Sequence, residues 1–102
     1  MTPRIQALHA AVQEECRCFA NHVDSVPVRE MSGEQLAWEG VVEVFAVIHH
    51  PIAKCAYAWT FNNGTEERIV TVMGIPPVTS AQIAVRVAIA SGREEEASAS
   101  AQ

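Results

Sequence analysis

Apolar and polar positions divide the chain into a helical start, a strand-rich middle and a helical end. Ile5, Leu8, Val12, Cys16, Phe19 and Val23 recur at spacings of three and four, with Arg4, Gln6, Gln13, Glu14, Arg17 and Asn21 largely off that stripe. This period buries one side of an α-helix and leaves the other in water. Thr2 can cap the first turn, and Pro3 suits the first helical position, where a backbone N–H has no intrahelical partner to lose. The pattern predicts a helix over residues 3–22.

Over residues 39–48 the period falls to two. Val41, Glu43, Phe45 and Val47 point one way, and Val42, Val44, Ala46 and Ile48 the other. A strand apolar on both faces is buried on both. Residues 54–73 then form two alternating runs hinged on Asn63-Gly64, a pair suited to a two-residue type I′ turn because both tolerate positive φ. That turn sets Trp59 opposite Arg68, Tyr57 opposite Val70 and Cys55 opposite Val72. One face carries Cys55, Tyr57, Trp59, Phe61, Val70 and Val72, while Ala56, Ala58, Ile69, Thr71 and Met73 lie on the other. Near the end, Thr79 or Ser80 caps an alanine-rich run and Gly92 stands at its stop, which favours a helix. Residues 85–89 also alternate with period two, so a strand stays open there.

Residues 24–38 carry the weakest pattern. Pro27 lacks a ladder donor, which excludes a central strand. Ser32-Gly33-Glu34-Gln35 opens either a single helical turn or a long connection, and a long connection is a place to look for function. The element order is helix–strand–strand–strand–helix. It implies an α+β fold, a two-layer sandwich in which both helices cover the aromatic face of a three-stranded antiparallel sheet. Residues 1–91 form one domain. Residues 92–102 hold Arg93-Glu94-Glu95-Glu96 and an Ala/Ser run, the composition of a disordered tail. This arrangement leaves Val42, Val44, Ala46, Ala56, Ala58, Ile69 and Met73 on an uncovered sheet face. Exposed apolar surface of that kind marks an interface, and the expectation is a two-fold homodimer across it.

Composition narrows the setting. The chain is 49% hydrophobic with a net charge of −5, and it stays acidic without the tail's three glutamates and one arginine. Nucleic-acid affinity depends on Lys and Arg neutralising phosphates, so nucleic acid is an unfavourable partner. No apolar run is long enough to span a bilayer and the first residues lack a signal-peptide pattern, so a cytoplasmic protein without a membrane partner is expected. Three cysteines, an odd number, argue against a disulfide framework. On a helix Cys16 and Cys18 stand roughly 200° apart, one buried and one exposed, which does not suit a redox pair.

Candidate chemistry is sparse. His49-His50 with Cys55, and Cys18 four residues before His22, have ligand chemistry, but neither set supplies the three or four donors that zinc requires. Turn histidines and core thiols are the plainer reading. Trp59 and Arg68 form a cation–π pair in the expected register, and Tyr57, Trp59 and Phe61 line either a core layer or a ligand pocket, with Glu43, Tyr57, Trp59 and Arg68 the candidate ligand-binding residues. Glu43 lies among apolar neighbours, where a carboxylate is costly unless paired. It pairs with Arg68, bonds Trp59, or sits at a cavity mouth; a nearby histidine would fit it for acid/base or cation-binding work. No serine elbow, phosphate loop or cysteine-nucleophile signature is present, so no catalytic residue, metal or cofactor is assigned.

The order of elements is similar to that of double-stranded-RNA-binding domains, in topology alone. Those domains read RNA with a basic second-helix N-terminus, and Thr79-Ser80-Ala81-Gln82-Ile83 has no lysine. The run Trp38-Glu39-Gly40-Val41-Val42-Glu43-Val44-Phe45, with His50-Pro51, Tyr57-Ala58-Trp59, Pro77-Val78 and Ala84-Val85-Arg86-x-Ala88-Ile89, resembles small uncharacterised bacterial proteins. That resemblance implies no substrate; such proteins also look like products of mobile gene cassettes. The expected function is a non-enzymatic homodimeric interaction or small-molecule-binding module. The alternative is a small enzyme or metal-dependent protein using Glu43 with the His/Cys cluster, and RNA binding ranks below both.

Overall fold

The structure, a computed structural model, describes residues 2–62 and 64–91. The elements are α1 (Pro3–Cys16), β1 (Phe19–Ser32), β2 (Gln35–Ile48), β3 (Cys55–Asn62), β4 (Glu67–Met73) and α2 (Ala81–Ala90). The strands form one antiparallel sheet in the order β1-β2-β3-β4. The fold is α+β, with four strands rather than three. The tail expected at 92–102 lies outside the described residues, as does the expected stop at Gly92. Among the described residues, no helix is long and apolar enough to cross a membrane.

The extra strand comes from the stretch with the weakest pattern. Thr2 caps α1 by accepting from the Ile5 N–H, but the helix ends at Cys16 because Arg17 turns left-handed, with φ 54° and ψ 40°. Phe19 and Val23 had extended the apolar stripe to residue 22, yet both are exposed, at 74% and 58%. They belong to β1. Pro27 is accommodated because β1 is an edge strand, where one row of donors pairs with nothing in the sheet. Residues 32–35 are the turn of the long β1–β2 hairpin, with Gly33 at φ +63°.

The helices lie on opposite faces, so the two-layer arrangement gives way to three layers. Antiparallel partners share a face, and Val44 pairs with Tyr57 while Phe45 pairs with Ala56. The even positions of β2 therefore join the aromatic face, the reverse of the phase expected from sequence. On that face Val42, Tyr57, Trp59, Val70 and Val72 pack against Ala81, Ala84, Val85 and Ala88 of α2. On the other, Phe45, Ala56 and Ala58 pack against Leu8 and Val12 of α1. The face expected to be bare is thus covered within one chain.

The seven residues expected at a dimer interface separate accordingly. Val42, Ala56 and Ala58 have no exposed surface, and Val42, Val44 and Ala46 lie on the α2 side. Met73 packs against the α1 cluster, and Ile69 alone of the seven is largely exposed. The β3–β4 hairpin keeps its predicted faces but slips by two residues. Trp59 pairs with Val70, Tyr57 with Val72 and Phe61 with Arg68, and the ladder closes at Asn62 and Glu67. A slip of two preserves the faces because side chains alternate with period two. The expected Asn63-Gly64 turn falls partly outside the described residues. Ser80 is the cap of α2, accepting from Ile83 N–H, and the run through residues 85–89 is helical.

Candidate functional site

Glu43 is 2% exposed and stands at the middle of a polar cluster beneath the start of α1. β1 reaches it through a bulge. His22 pairs with Phe45 and Ser25 with Glu43, because the register shifts between His22 and Asp24. Residues three apart on a regular strand face opposite ways; the extra residue, Val23, turns both His22 and Ser25 toward Glu43. His22 Nε2 lies 2.8 Å from Oε1, and the Ser25 hydroxyl donates to the same oxygen. From α1, Arg4 donates one guanidinium nitrogen to Oε2 at 2.5 Å and another to the Val41 carbonyl at 2.7 Å.

Burial pushes the Glu43 carboxyl upward, but hydrogen bonds from Ser25, Arg4 and His22, with the Arg4 charge, overcome it and hold the group below its ordinary value. The carboxylate is therefore ionised and accepts only, so His22 Nε2 carries the proton in that bond. Ser25 Oγ is 3.4 Å from His22 Nε2, yet its hydrogen goes to Glu43. The imidazole does not receive the serine proton, and this is no nucleophile–base pair. A carboxylate with donors on both oxygens and a lowered pKa is a poor proton shuttle. Its work is to fasten α1 and β1 to β2.

Beside this cluster the sheet opens. The β2–β3 ladder stops at Glu43 and Ala58; residues 35–42 of β2 pair only with β1, and residues 59–62 of β3 only with β4. The Trp38 indole bridges the gap, with Nε1 donating to the Thr60 carbonyl at 3.3 Å and its ring centroid 6.0 Å from that of Trp59. Gly40 permits this placement: a Cβ there would stand 2.7 Å from Trp38 Cζ2, inside van der Waals contact. The result is a cleft of about 410 Å³ lined by Arg4, Trp38, Glu39, Gly40, Val41, Glu43 and Thr60.

Of the four residues expected to bind a ligand, only Glu43 lines this cleft. Tyr57 and Trp59 are buried on the opposite face of the sheet, in the core beneath α2. Burial, together with the Cys55 thiol, pushes the Tyr57 phenol up to about 12. Arg68 stands opposite Phe61 instead of Trp59 and pairs with Glu66 at 2.6 Å. The His/Cys sets do not assemble either: among the described residues no three His, Cys, Asp or Glu side chains converge as metal ligands. His50 Nδ1 instead accepts from the Ile52 and Ala53 N–H groups and shapes the β2–β3 turn. Cys18 and His22 are not on a helix, so their four-residue spacing carries no shared face.

Arg4, Ser25, Trp38, Gly40 and Thr60 went unrecognised as site residues in the sequence, and His22 stood out there only as a metal ligand beside Cys18. A carboxylate in an apolar strand does signal that cationic or hydroxyl partners exist, without saying where. The Trp38–Gly40 spacing had no reading until the strands separated. The four-stranded sheet with a helix on each face also departs from the three-stranded order of double-stranded-RNA-binding domains. Comparison with protein-family models, with curated proteins and with solved structures returns no match.

Proposed function

We propose that this chain is a non-catalytic small-molecule-binding domain whose site is the cleft between β2 and β3. The observation that carries the reading is the interrupted ladder, an opening in the sheet bridged by Trp38 and floored by the Arg4–Glu43 ion pair. Its volume, about 410 Å³, falls in the range of small-ligand pockets. The floor is preorganised, because Arg4 and Glu43 fix one another and the Val41 carbonyl fixes the second arm of the guanidinium. Preorganised groups lose little entropy when a ligand arrives.

The lining indicates the ligand class. Arg4 and Glu43 neutralise each other, and the exposed Glu39 faces Arg29 at 3.7 Å. A strongly charged ligand finds no unbalanced partner. The Trp38 indole and Val41 offer an apolar wall, while Arg4 has guanidinium donors beyond the two it spends on protein acceptors. The best fit is a compact neutral heteroaromatic molecule with one hydrogen-bond acceptor. The site is complete within one chain, so binding proceeds whether or not the chain dimerises.

A thermal-shift series with small neutral heteroaromatic compounds tests this, run on the natural chain and on Gly40→Val. The added side chain collides with the Trp38 indole, whose Cζ2 lies 2.7 Å from the Cβ position, and disrupts that wall of the cleft. Compounds that stabilise the natural chain and leave Gly40→Val unmoved support the reading. Stabilisation equal in both chains, or absent throughout at millimolar concentration, overturns it.

A further inference from the structure

The end of α1 brings two thiols together that a continuous helix would separate. At 3.6 residues per turn, Cys16 and Cys18 would point roughly 200° apart. Arg17 instead adopts the left-handed conformation, and the chain folds back on itself. Cys18 Sγ consequently donates to the Cys16 carbonyl at 2.9 Å, and Cys16 Sγ lies 3.8 Å from the Cys18 carbonyl. Both thiols are free and half-buried. Cys18 lines a second cavity of about 420 Å³, with Gln13, Arg17, Phe19, Ile48 and His49, which gives its thiol access to solvent.

We propose that Cys16 and Cys18 form a two-coordinate site for a soft monovalent d10 ion, with copper(I) the physiological candidate. Thiolate sulfur suits copper(I), zinc and iron–sulfur clusters, and the number of ligands separates them. No third His, Cys, Asp or Glu converges on the pair among the described residues, so the four-ligand shell of structural zinc is missing while a digonal ion needs only two sulfurs. A soft ion displaces the protons through the strength of the metal–sulfur bond. Each S–H gives its proton to solvent and each sulfur donates a lone pair, so one monovalent ion releases two protons. The site is left with a single negative charge, and no electron is transferred.

The test is an anaerobic titration of the full chain with copper(I) against a chromophoric copper(I) chelator, repeated with silver(I) read by native mass spectrometry. The expected result is one ion per chain in the natural protein and in Cys55→Ser, with two protons released, and loss of binding in Cys16→Ser and in Cys18→Ser. Far-UV circular dichroism checks that the serine variants fold; should one unfold, thiol blocking of the natural folded chain with methyl methanethiosulfonate replaces it. Equal binding by either serine variant, loss in Cys55→Ser, one ion shared between two chains, or zinc bound as tightly as copper(I) would each overturn the assignment.

Discussion

Replacing Glu43 by Gln keeps the volume of the buried side chain and removes its charge. Three donors reach the carboxylate: Arg4, His22 and Ser25. The Gln amide oxygen can still accept from His22 and Ser25, but its NH2 group then faces the Arg4 guanidinium, donor against donor. A hydrogen bond to a charged group contributes about 1.5–3 kcal/mol and a neutral one about 0.5–1.5. The lost Arg4 bond lies at the low end of its range, because Arg4 is 39% exposed and water can take up its donors. Adding the weakening of the other two bonds gives a loss of about 2–3 kcal/mol at neutral pH. For a domain of this size that lowers Tm by roughly 10–20 °C. Urea unfolding followed by tryptophan fluorescence reads the difference directly. The pH dependence separates charge from packing. The folded-state pKa of Glu43 lies below its ordinary value of 4.5, so its contribution is full above that value and is lost as pH falls through the folded pKa. The gap between natural chain and Glu43→Gln should therefore be widest near neutrality and close in acid. A gap below about 0.5 kcal/mol at pH 7, within the range of ordinary surface substitutions, would refute the reasoning. So would a gap that persists unchanged below the folded pKa.

Three further outcomes are expected. Gly40→Ala should cost about 1–3 kcal/mol, the range for overpacking, and should shift the Trp38 indole resonance as the ring leaves Thr60; an unchanged indole would contradict the contact. Tyr57, the sole tyrosine, should titrate near 12 when its absorbance is followed in the folded protein. Because that pKa is raised, the associated stability is intact below 10 and lost as pH rises toward 12, and a midpoint at 10 in the folded state would be evidence against its burial. Arg17→Gly should stabilise the chain by roughly 0.4–1 kcal/mol net of unfolded-state entropy, since glycine occupies the left-handed region without the Cβ penalty; a clear loss on urea unfolding would count against that backbone conformation.

What the sequence revealed depended on how local the physics was. The start of α1, the even spacing of β3 and β4, and the cap at Ser80 rest on contacts within a few residues, and they are correctly legible. Phe19 and Val23 misled because an apolar period continues through them, whereas the helix ends on Arg17, a residue with no special preference for positive φ. β1 was hidden by Pro27, which excludes a central strand but is compatible with an edge. The phase of β2 against β3 depended on the conformation of residues 49–54, including His49 at φ 64°, and no residue type encodes that angle. Placing β2 on the wrong face then moved Glu43 away from Arg4 and toward Arg68, and exposed a face that α1 covers. Glu43 drew attention for the right reason, the cost of an unpaired buried carboxylate, but its partners come from a helix and a bulge far away in sequence.

The cleft is tested most directly through the indole N–H of Trp38, which sits at its wall and bonds Thr60. Proton–nitrogen correlation spectra of the labelled chain, recorded while neutral heteroaromatic fragments are titrated in, report that proton separately from the buried Trp59. Saturable shifts of the Trp38 indole together with the Gly40, Val41 and Thr60 amides are the predicted result. Fragments that leave these four signals in place, or that bind only at residues on the far side of the sheet, would contradict the cleft as the binding site.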